Sequence, residues 1–117
     1  MKIDDTYRQI VCELKEYISM NYYRDITLNE LSRKYYITNG YLSKIFKSVT
    51  GTTFRRYFYT FRINQAKILL ISGKFKTMHE ISRKVGFNDV SYFYRVFNKI
   101  EGITPTEYKL KECIYGL

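Results

Sequence analysis

Residues 81–97, ISRKVGFNDVSYFYRVF, repeat a pattern that residues 31–46, LSRKYYITNGYLSKIF, already carry. The two runs align at an offset of 50 positions and, after one inserted residue in the turn, at an offset of 51, which pairs Gly51 with Gly102 and Tyr57 with Tyr108. Each unit has the pattern of a short helix, a tight turn and a longer helix, which is the arrangement of a helix-turn-helix motif. Because order and spacing agree, the sequence predicts two such motifs in one chain.

Capping signals divide the rest of the chain into helices. A Ser or Thr hydroxyl at a helix start accepts a hydrogen bond from a free backbone N–H, and an acid or amide three residues later bonds back. The predicted starts are Thr6, Thr27, Thr38, Thr53, Thr77, Asn88 and Thr104. The chain contains only 6 Gly and 1 Pro, so turn-forming residues are sparse and a fold of many strands is unlikely. No segment has a convincing strand pattern. We expect an all-α fold of about seven helices, with a linker helix (53–72) joining helix-turn-helix subdomains 1–52 and 73–117.

The third helix (about 38–50) and the sixth (about 88–100) share a two-faced pattern. The residues predicted to form their buried stripes are Leu42, Ile45, Phe46 and Val49 in one and Phe93, Val96, Phe97 and Ile100 in the other. The opposite faces carry Gly40, Ser43, Lys44 and Lys47, and Ser91, Tyr94, Arg95 and Asn98. One such helix alone would be an ordinary amphipathic helix. Two with the same layout, each behind a short helix and a turn, favour helices that read base edges in a major groove.

Residues 31 to 108 resemble the DNA-binding domain of the AraC/XylS family of bacterial transcription regulators. The motifs are residues 42–47, LSKIFK, followed by Gly51, then Arg62 and Ala66 in the linker, the run 81–97 and residues 102–108, GITPTEY. The resemblance implies that the third and sixth helices enter successive major-groove segments on one face of DNA.

The sequence departs from the family pattern at four positions. Ser32 and Ser82 stand where the family usually has Ala, and Tyr36 occupies the turn position that Gly86 holds in the second half. Gly40 offers no side chain where many relatives place a base-reading one. These departures leave the fold intact, but they put base reading at position 40 in question.

The outward faces supply the candidate DNA contacts. Lys44 and Arg95 are equivalent in the repeat, and an Arg can bond a guanine bidentately. The residues predicted to read bases are Asn39, Gly40, Ser43, Lys44, Val90, Ser91, Tyr94 and Arg95. Those predicted to contact phosphates are Tyr41, Lys47, Thr53, Tyr92 and Asn98. Arg62 is expected to be structural rather than base-reading.

Positive charge is concentrated in the middle of the chain. The net charge is +9, and the segment from Leu31 to His79 contains ten Lys and Arg and no Asp or Glu. A basic block in a helical domain is typical of a nucleic-acid binder. On charge alone, a solvated basic surface or a membrane-facing patch remains an alternative.

Composition argues against other classes of protein. Cys12 and Cys113 are too few for a disulfide framework or a four-ligand zinc site, and they indicate a reducing cytoplasm. His79 is the only histidine and sits in a capping box, so no catalytic residue, metal or cofactor is predicted. No apolar run approaches the ~18 residues that a membrane span requires.

Three functions compete. The first is a sequence-specific transcription regulator, or its excised DNA-binding domain. Such a protein would act at the nucleoid in the cytoplasm. If it is an activator, its expected protein partner is RNA polymerase. The second is an alkyl-transfer repair enzyme, which needs a zinc–thiolate cluster that two isolated cysteines cannot supply. The third is a module whose basic face binds an acidic protein.

The linker helix leads to a geometric expectation. Twenty helical residues span about 30 Å, close to the roughly 34 Å of one DNA turn. A monomer can then read an asymmetric site of about 20 base pairs. We expect no room for a sensor or dimerisation domain within these 117 residues. The sequence is compatible both with a stand-alone protein and with a domain excised from a longer one.

Overall fold

The structure is a computed structural model that describes residues 5–115. Within that range the chain forms seven α-helices and no β-strand. They are α1 (Asp5–Asn21), α2 (Leu28–Lys34), α3 (Asn39–Thr50), α4 (Phe54–Ser72), α5 (Met78–Lys84), α6 (Val90–Glu101) and α7 (Pro105–Tyr115). The predicted all-α fold is confirmed.

Most helix starts lie where the capping signals place them. At Thr27 both halves of the capping box are made: the Glu30 N–H donates to the Thr27 hydroxyl at 3.3 Å, and the Thr27 N–H donates to Glu30 Oε1 at 3.0 Å. The box at Thr104 and Glu107 is equally complete. Thr38, Thr53 and Thr77 each accept from a backbone N–H three residues on. These contacts satisfy donors that would otherwise lack a partner at a helix start.

Two predicted starts are wrong. Thr6 lies inside α1, which already includes Asp5, and an acid in the first turn is favoured by the helix dipole. The cap of α6 is Asp89 rather than Asn88: the backbone of Asp89 is extended, and its Oδ1 accepts from the Ser91 N–H at 2.9 Å. A carboxylate at this position both accepts the hydrogen bond and complements the dipole, so it is the better cap of the two neighbours.

The described residues divide into two compact units, with the boundary between Phe58 and Tyr59, inside α4. In the first unit, the buried side chains of α1 and α3 form the core together with α2 and the first turn of α4. They are Val11, Leu14, Ile18, Leu31, Leu42, Ile45, Phe46, Phe54 and Phe58. The ring of Phe46 meets those of Phe54 and Tyr57, with centroids 5.7 and 5.3 Å apart. Val49 is only half-buried, at the edge of its predicted stripe.

The second unit has its own core. Its buried apolar residues are Ile63, Ala66, Leu70, Ile81, Val85, Phe87, Phe93 and Phe97. Phe93 contacts Phe87 and Phe97 at centroid distances of 5.4 and 5.9 Å, so α6 is fixed by its aromatic face. Val96 and Ile100, predicted to lie inward, are half-buried.

The turn of each helix-turn-helix contains one residue with a positive φ. In the second turn it is Gly86, at φ 102°, and in the first it is Tyr36, at φ 56°. A residue with a Cβ adopts the left-handed region at a cost of roughly 1–2 kcal/mol. The Tyr36 side chain is 96% exposed, so its own packing does not offset that cost. Both turns therefore place a positive φ at the equivalent position, and the first does so under strain.

Candidate nucleic-acid interface

The outward face of α3 is polar and accessible, because Leu42, Ile45 and Phe46 point inward. Lys44, Lys47 and Gly40 are exposed, and Ser43 is half-buried. At Gly40, no heavy atom would lie within 4 Å of a Cβ. Of the residues predicted to contact DNA from this helix, the two lysines carry its charge.

Asn39 has a role that the sequence did not indicate. Its Oδ1 accepts from the Ser32 hydroxyl, and its amide N–H donates to Asn29 Oδ1 at 3.4 Å. The carbonyl oxygen of Asn29 lies 3.0 Å from the same Ser32 hydroxyl and is a second acceptor for its single proton. The first residue of α3 is thus hydrogen-bonded to Ser32 and Asn29 of α2.

Tyr41 and Thr53, both predicted to contact phosphate, also make contacts within the first unit. The Tyr41 ring is half-buried and meets Tyr7 of α1 edge to face, with centroids 5.7 Å apart. The Thr53 hydroxyl accepts from the Arg56 N–H at 3.1 Å and so caps α4. Arg55 and Arg56, which the set of predicted contacts omitted, are exposed in the first turn that this cap begins. The signal for them was available, since two arginines directly follow a capping threonine and Phe54.

The outward face of α6 has the same layout as that of α3. Ser91, Arg95 and Asn98 are exposed, and Val90 and Tyr94 are half-buried. The Tyr94 ring packs edge to face on Phe93 at 6.0 Å, so part of this side chain belongs to the core. Asp89 stands at the start of this face and adds an acidic group that the set of predicted contacts did not include.

Tyr92 connects Arg95 to the core of the second unit. The guanidinium carbon of Arg95 lies 5.4 Å from the centroid of the Tyr92 ring. The same ring contacts Tyr59 of α4 at 6.0 Å and Phe87 of the turn at 6.1 Å. Tyr92 is half-buried within this group, whereas Arg95 is exposed.

Two cations of the basic segment are directed into the protein. Arg62 is 2% exposed, and its guanidinium lies 5.5 Å from the Phe87 ring and 5.9 Å from the Tyr59 ring. Lys67 pairs with Glu101 at 3.1 Å and lies 5.4 Å from the Tyr108 ring. Arg62 is therefore in a structural position, as expected, and Lys67 links α4 to the end of α6.

The first unit contains one strongly shifted tyrosine. Partial burial, with a smaller contribution from the hydrogen bond that Tyr35 donates to Glu13 at 2.7 Å, raises the pKa of Tyr35 to about 12. Tyr35 caps the C-terminus of α2 and Glu13 belongs to α1. This hydrogen bond therefore links α1 to the first helix-turn-helix.

Other chemistry has little support in the part of the chain that the structure describes. Between residues 5 and 115 no three His, Cys, Asp or Glu side chains gather in a way that could hold a metal ion. Cys12 and Cys113 are free thiols on the surface. Among the helices of that same range, none is long and apolar enough to cross a membrane.

Comparison with known proteins agrees with this geometry. A family model described as a helix-turn-helix domain, of AraC type, matches residues 31–111. The chain belongs to the AraC/XylS family. It is 32% identical, over 92% of its length, to the uncharacterized HTH-type transcriptional regulator YisR of Bacillus subtilis, and it covers 37% of that protein.

Further relatives extend the comparison to a regulator of known operon and to a solved structure. The melibiose operon regulatory protein of Escherichia coli is 30% identical over 85% of the chain, which covers 32% of that protein. The C-terminal domain of the two-component response regulator yesN of Fusobacterium nucleatum superposes with a TM-score of 0.77 at 36% identity, over 91% of this chain and 99% of that one. The chain spans between 14% and 54% of the first three curated relatives it matches. It is an AraC-type DNA-binding domain of a transcription regulator.

Proposed function

We propose that this AraC/XylS domain binds double-stranded DNA as a monomer, with α3 and α6 in adjacent major-groove segments of one asymmetric site. The observation that carries the proposal is the repeated layout of the two helices. Each is held by a buried face and exposes a basic residue at the same position, Lys44 in α3 and Arg95 in α6. A recognition helix needs this combination, because base reading demands a fixed helix with an accessible polar face.

The asymmetry of the site follows from the different side chains on the two faces. The face of α3 offers Ser43 and two lysines, whereas that of α6 offers Ser91, Tyr94 and Arg95. Two such faces prefer different half-sites, so an inverted repeat is not expected. We take one DNA turn of about 34 Å, the usual separation of paired recognition elements, as the expected distance between the two half-sites.

The proposed roles divide by chemistry. Base reading is assigned to the group Asn39, Gly40, Ser43, Lys44, Val90, Ser91, Tyr94 and Arg95, in which Arg95 is the candidate for a bidentate bond to guanine. Phosphate contact is assigned to Tyr41, Lys47, Thr53, Tyr92 and Asn98. The hydrogen bonds of Asn39 to α2 favour a positioning role for that residue, with any base contact made through its remaining hydrogen-bonding capacity.

The wider context is part of the same proposal. The relatives are longer transcription regulators, so we expect the domain to act at chromosomal DNA in the cytoplasm and, as an activator, beside RNA polymerase.

The decisive experiment is selection of bound duplexes from a random pool. We expect one non-palindromic consensus of about 20 base pairs, bound at one chain per duplex. An enriched inverted repeat bound by two chains would contradict the monomer model, and the absence of any enriched sequence would contradict specific DNA binding. Lys47→Ala, which removes an exposed cation, should weaken binding to all sequences alike and leave the consensus unchanged.

A further inference from the structure

We infer that the ring of Tyr92 positions the Arg95 side chain for base reading, an inference that rests on the proposed function of α6. The guanidinium carbon of Arg95 is 5.4 Å from the ring centroid, within the range of a cation–π contact. The two residues are three apart in a helix, so they lie on neighbouring positions of one face.

The ring is itself held in place. It contacts Tyr59 of α4 and Phe87 of the turn, and Phe87 packs in turn against the fully buried Phe93. A ring held by two neighbouring aromatic side chains offers a rigid surface, whereas an exposed arginine without such a surface samples many rotamers. Holding the side chain before DNA arrives reduces the conformational entropy that binding would otherwise cost.

The contact leaves the hydrogen-bonding groups of Arg95 available. A cation–π contact uses the face of the guanidinium, and its five N–H donors lie in the guanidinium plane. The fork that reaches guanine O6 and N7 is in that plane as well, so the same side chain can lie against Tyr92 and bond a base. The ring thus selects one rotamer without competing for the donors.

The first helix-turn-helix provides a built-in comparison. Tyr41 is the repeat equivalent of Tyr92, but its ring meets Tyr7 of α1. In the described residues, Lys44, the equivalent of Arg95, has no cation–π contact with Tyr41. The positioning of a base-reading cation by a ring is therefore assigned to α6 alone.

The test measures discrimination at one base pair. Selection with the wild-type chain defines the site, and Arg95→Ala identifies the base pair whose preference Arg95 determines. The affinity ratio between the selected duplex and its variant at that base pair is then measured for Y92F and Y92L. This ratio does not change with the folded fraction, because both duplexes meet the same protein sample.

We expect Y92F, which keeps the ring, to have the wild-type ratio, and Y92L to lower it about two- to fivefold. Y92L combined with R95A should discriminate no less than R95A alone, and Y41L, which removes a proposed phosphate contact, should weaken binding to both duplexes alike. A wild-type ratio in Y92L overturns the inference, as does an equal loss in Y92F, which would assign the effect to the hydroxyl. If R95A itself leaves every preference unchanged, the proposed function of α6 fails, and the inference fails with it.

Discussion

The salt dependence of DNA binding can be estimated from the exposure of individual cations. Of the ten Lys and Arg between Leu31 and His79, Arg62 is buried and Lys67 is paired with Glu101, so neither is available to DNA. Lys47 of α3 and Arg56 in the first turn of α4 are exposed cations without an assigned base contact. At about 0.9 per phosphate, these two alone give a slope of about −1.8 in a plot of log affinity against log salt. Raising salt fourfold should then weaken binding at least about 12-fold.

The assay is fluorescence anisotropy of one labelled duplex titrated at salt concentrations from about 50 to 200 mM. Lys47→Ala should make the slope shallower by about 0.9. Lys111→Ala removes an exposed cation of α7 that has no assigned DNA contact, and it should leave the slope as in the wild type. A slope near zero, or the same slope change in both variants, would refute the assignment of this basic surface to phosphate.

Three further predictions concern the spacing of the site, the second turn and Tyr35. Inserting five base pairs between the half-sites rotates one of them by about half a turn, so affinity should fall to that of a random duplex; unchanged affinity would contradict reading by one chain with a helical linker. Gly86→Ala should lower the free energy of unfolding, measured in urea, by about 1–3 kcal/mol because φ is 102° at this position. Tyr36→Ala should change the free energy of unfolding by less than about 0.5 kcal/mol, since the backbone strain stays and the side chain that is removed is exposed. The pKa of Tyr35 is raised to about 12 in the folded state, above the value near 10 in an unfolded chain, so the folded state binds the phenol proton more tightly. The stability that results is present below pH 10 and is lost as the pH rises towards 12. The thermal midpoint should fall less steeply over that range in Tyr35→Phe than in the wild type.

Much of the fold was predictable because its signals are local. A threonine hydroxyl and an acid three residues later decide a helix start with few competitors, and the starts at Thr27 and Thr104 are confirmed together with their complete boxes. The two failures are local as well. Asn88 and Asp89 both have side chains that cap helices well, and the carboxylate of Asp89 has the added advantage of complementing the helix dipole. Thr6 follows Asp5, which already stabilises the first turn.

The candidate site was less predictable, because side-chain partners come from elements distant in sequence. Helical spacing placed Asn39 on the polar side of α3, but it carries no information about Ser32 and Asn29 of the preceding helix. Helical spacing also gives Tyr92 and Tyr41 equivalent positions. In the structure, however, the Tyr92 ring contacts Arg95 and the Tyr41 ring contacts Tyr7. Arg62 is buried, unlike its basic neighbours, and the family resemblance led us to expect a structural role for it. A count of charges alone treats all ten cations as equal.

The open space around Gly40 bears on how the recognition of this domain can be redesigned. Varying position 39 in a library would disturb the junction between α2 and α3, so altered preferences there would be mixed with altered folding. Position 40 is on the same exposed end of α3, does not have a positive φ, and has no heavy atom within 4 Å of a Cβ placed there. An Ala there should also strengthen the helix by up to about 1 kcal/mol relative to Gly. New base preferences can therefore be introduced at a position that has no side chain, before any existing side chain is exchanged.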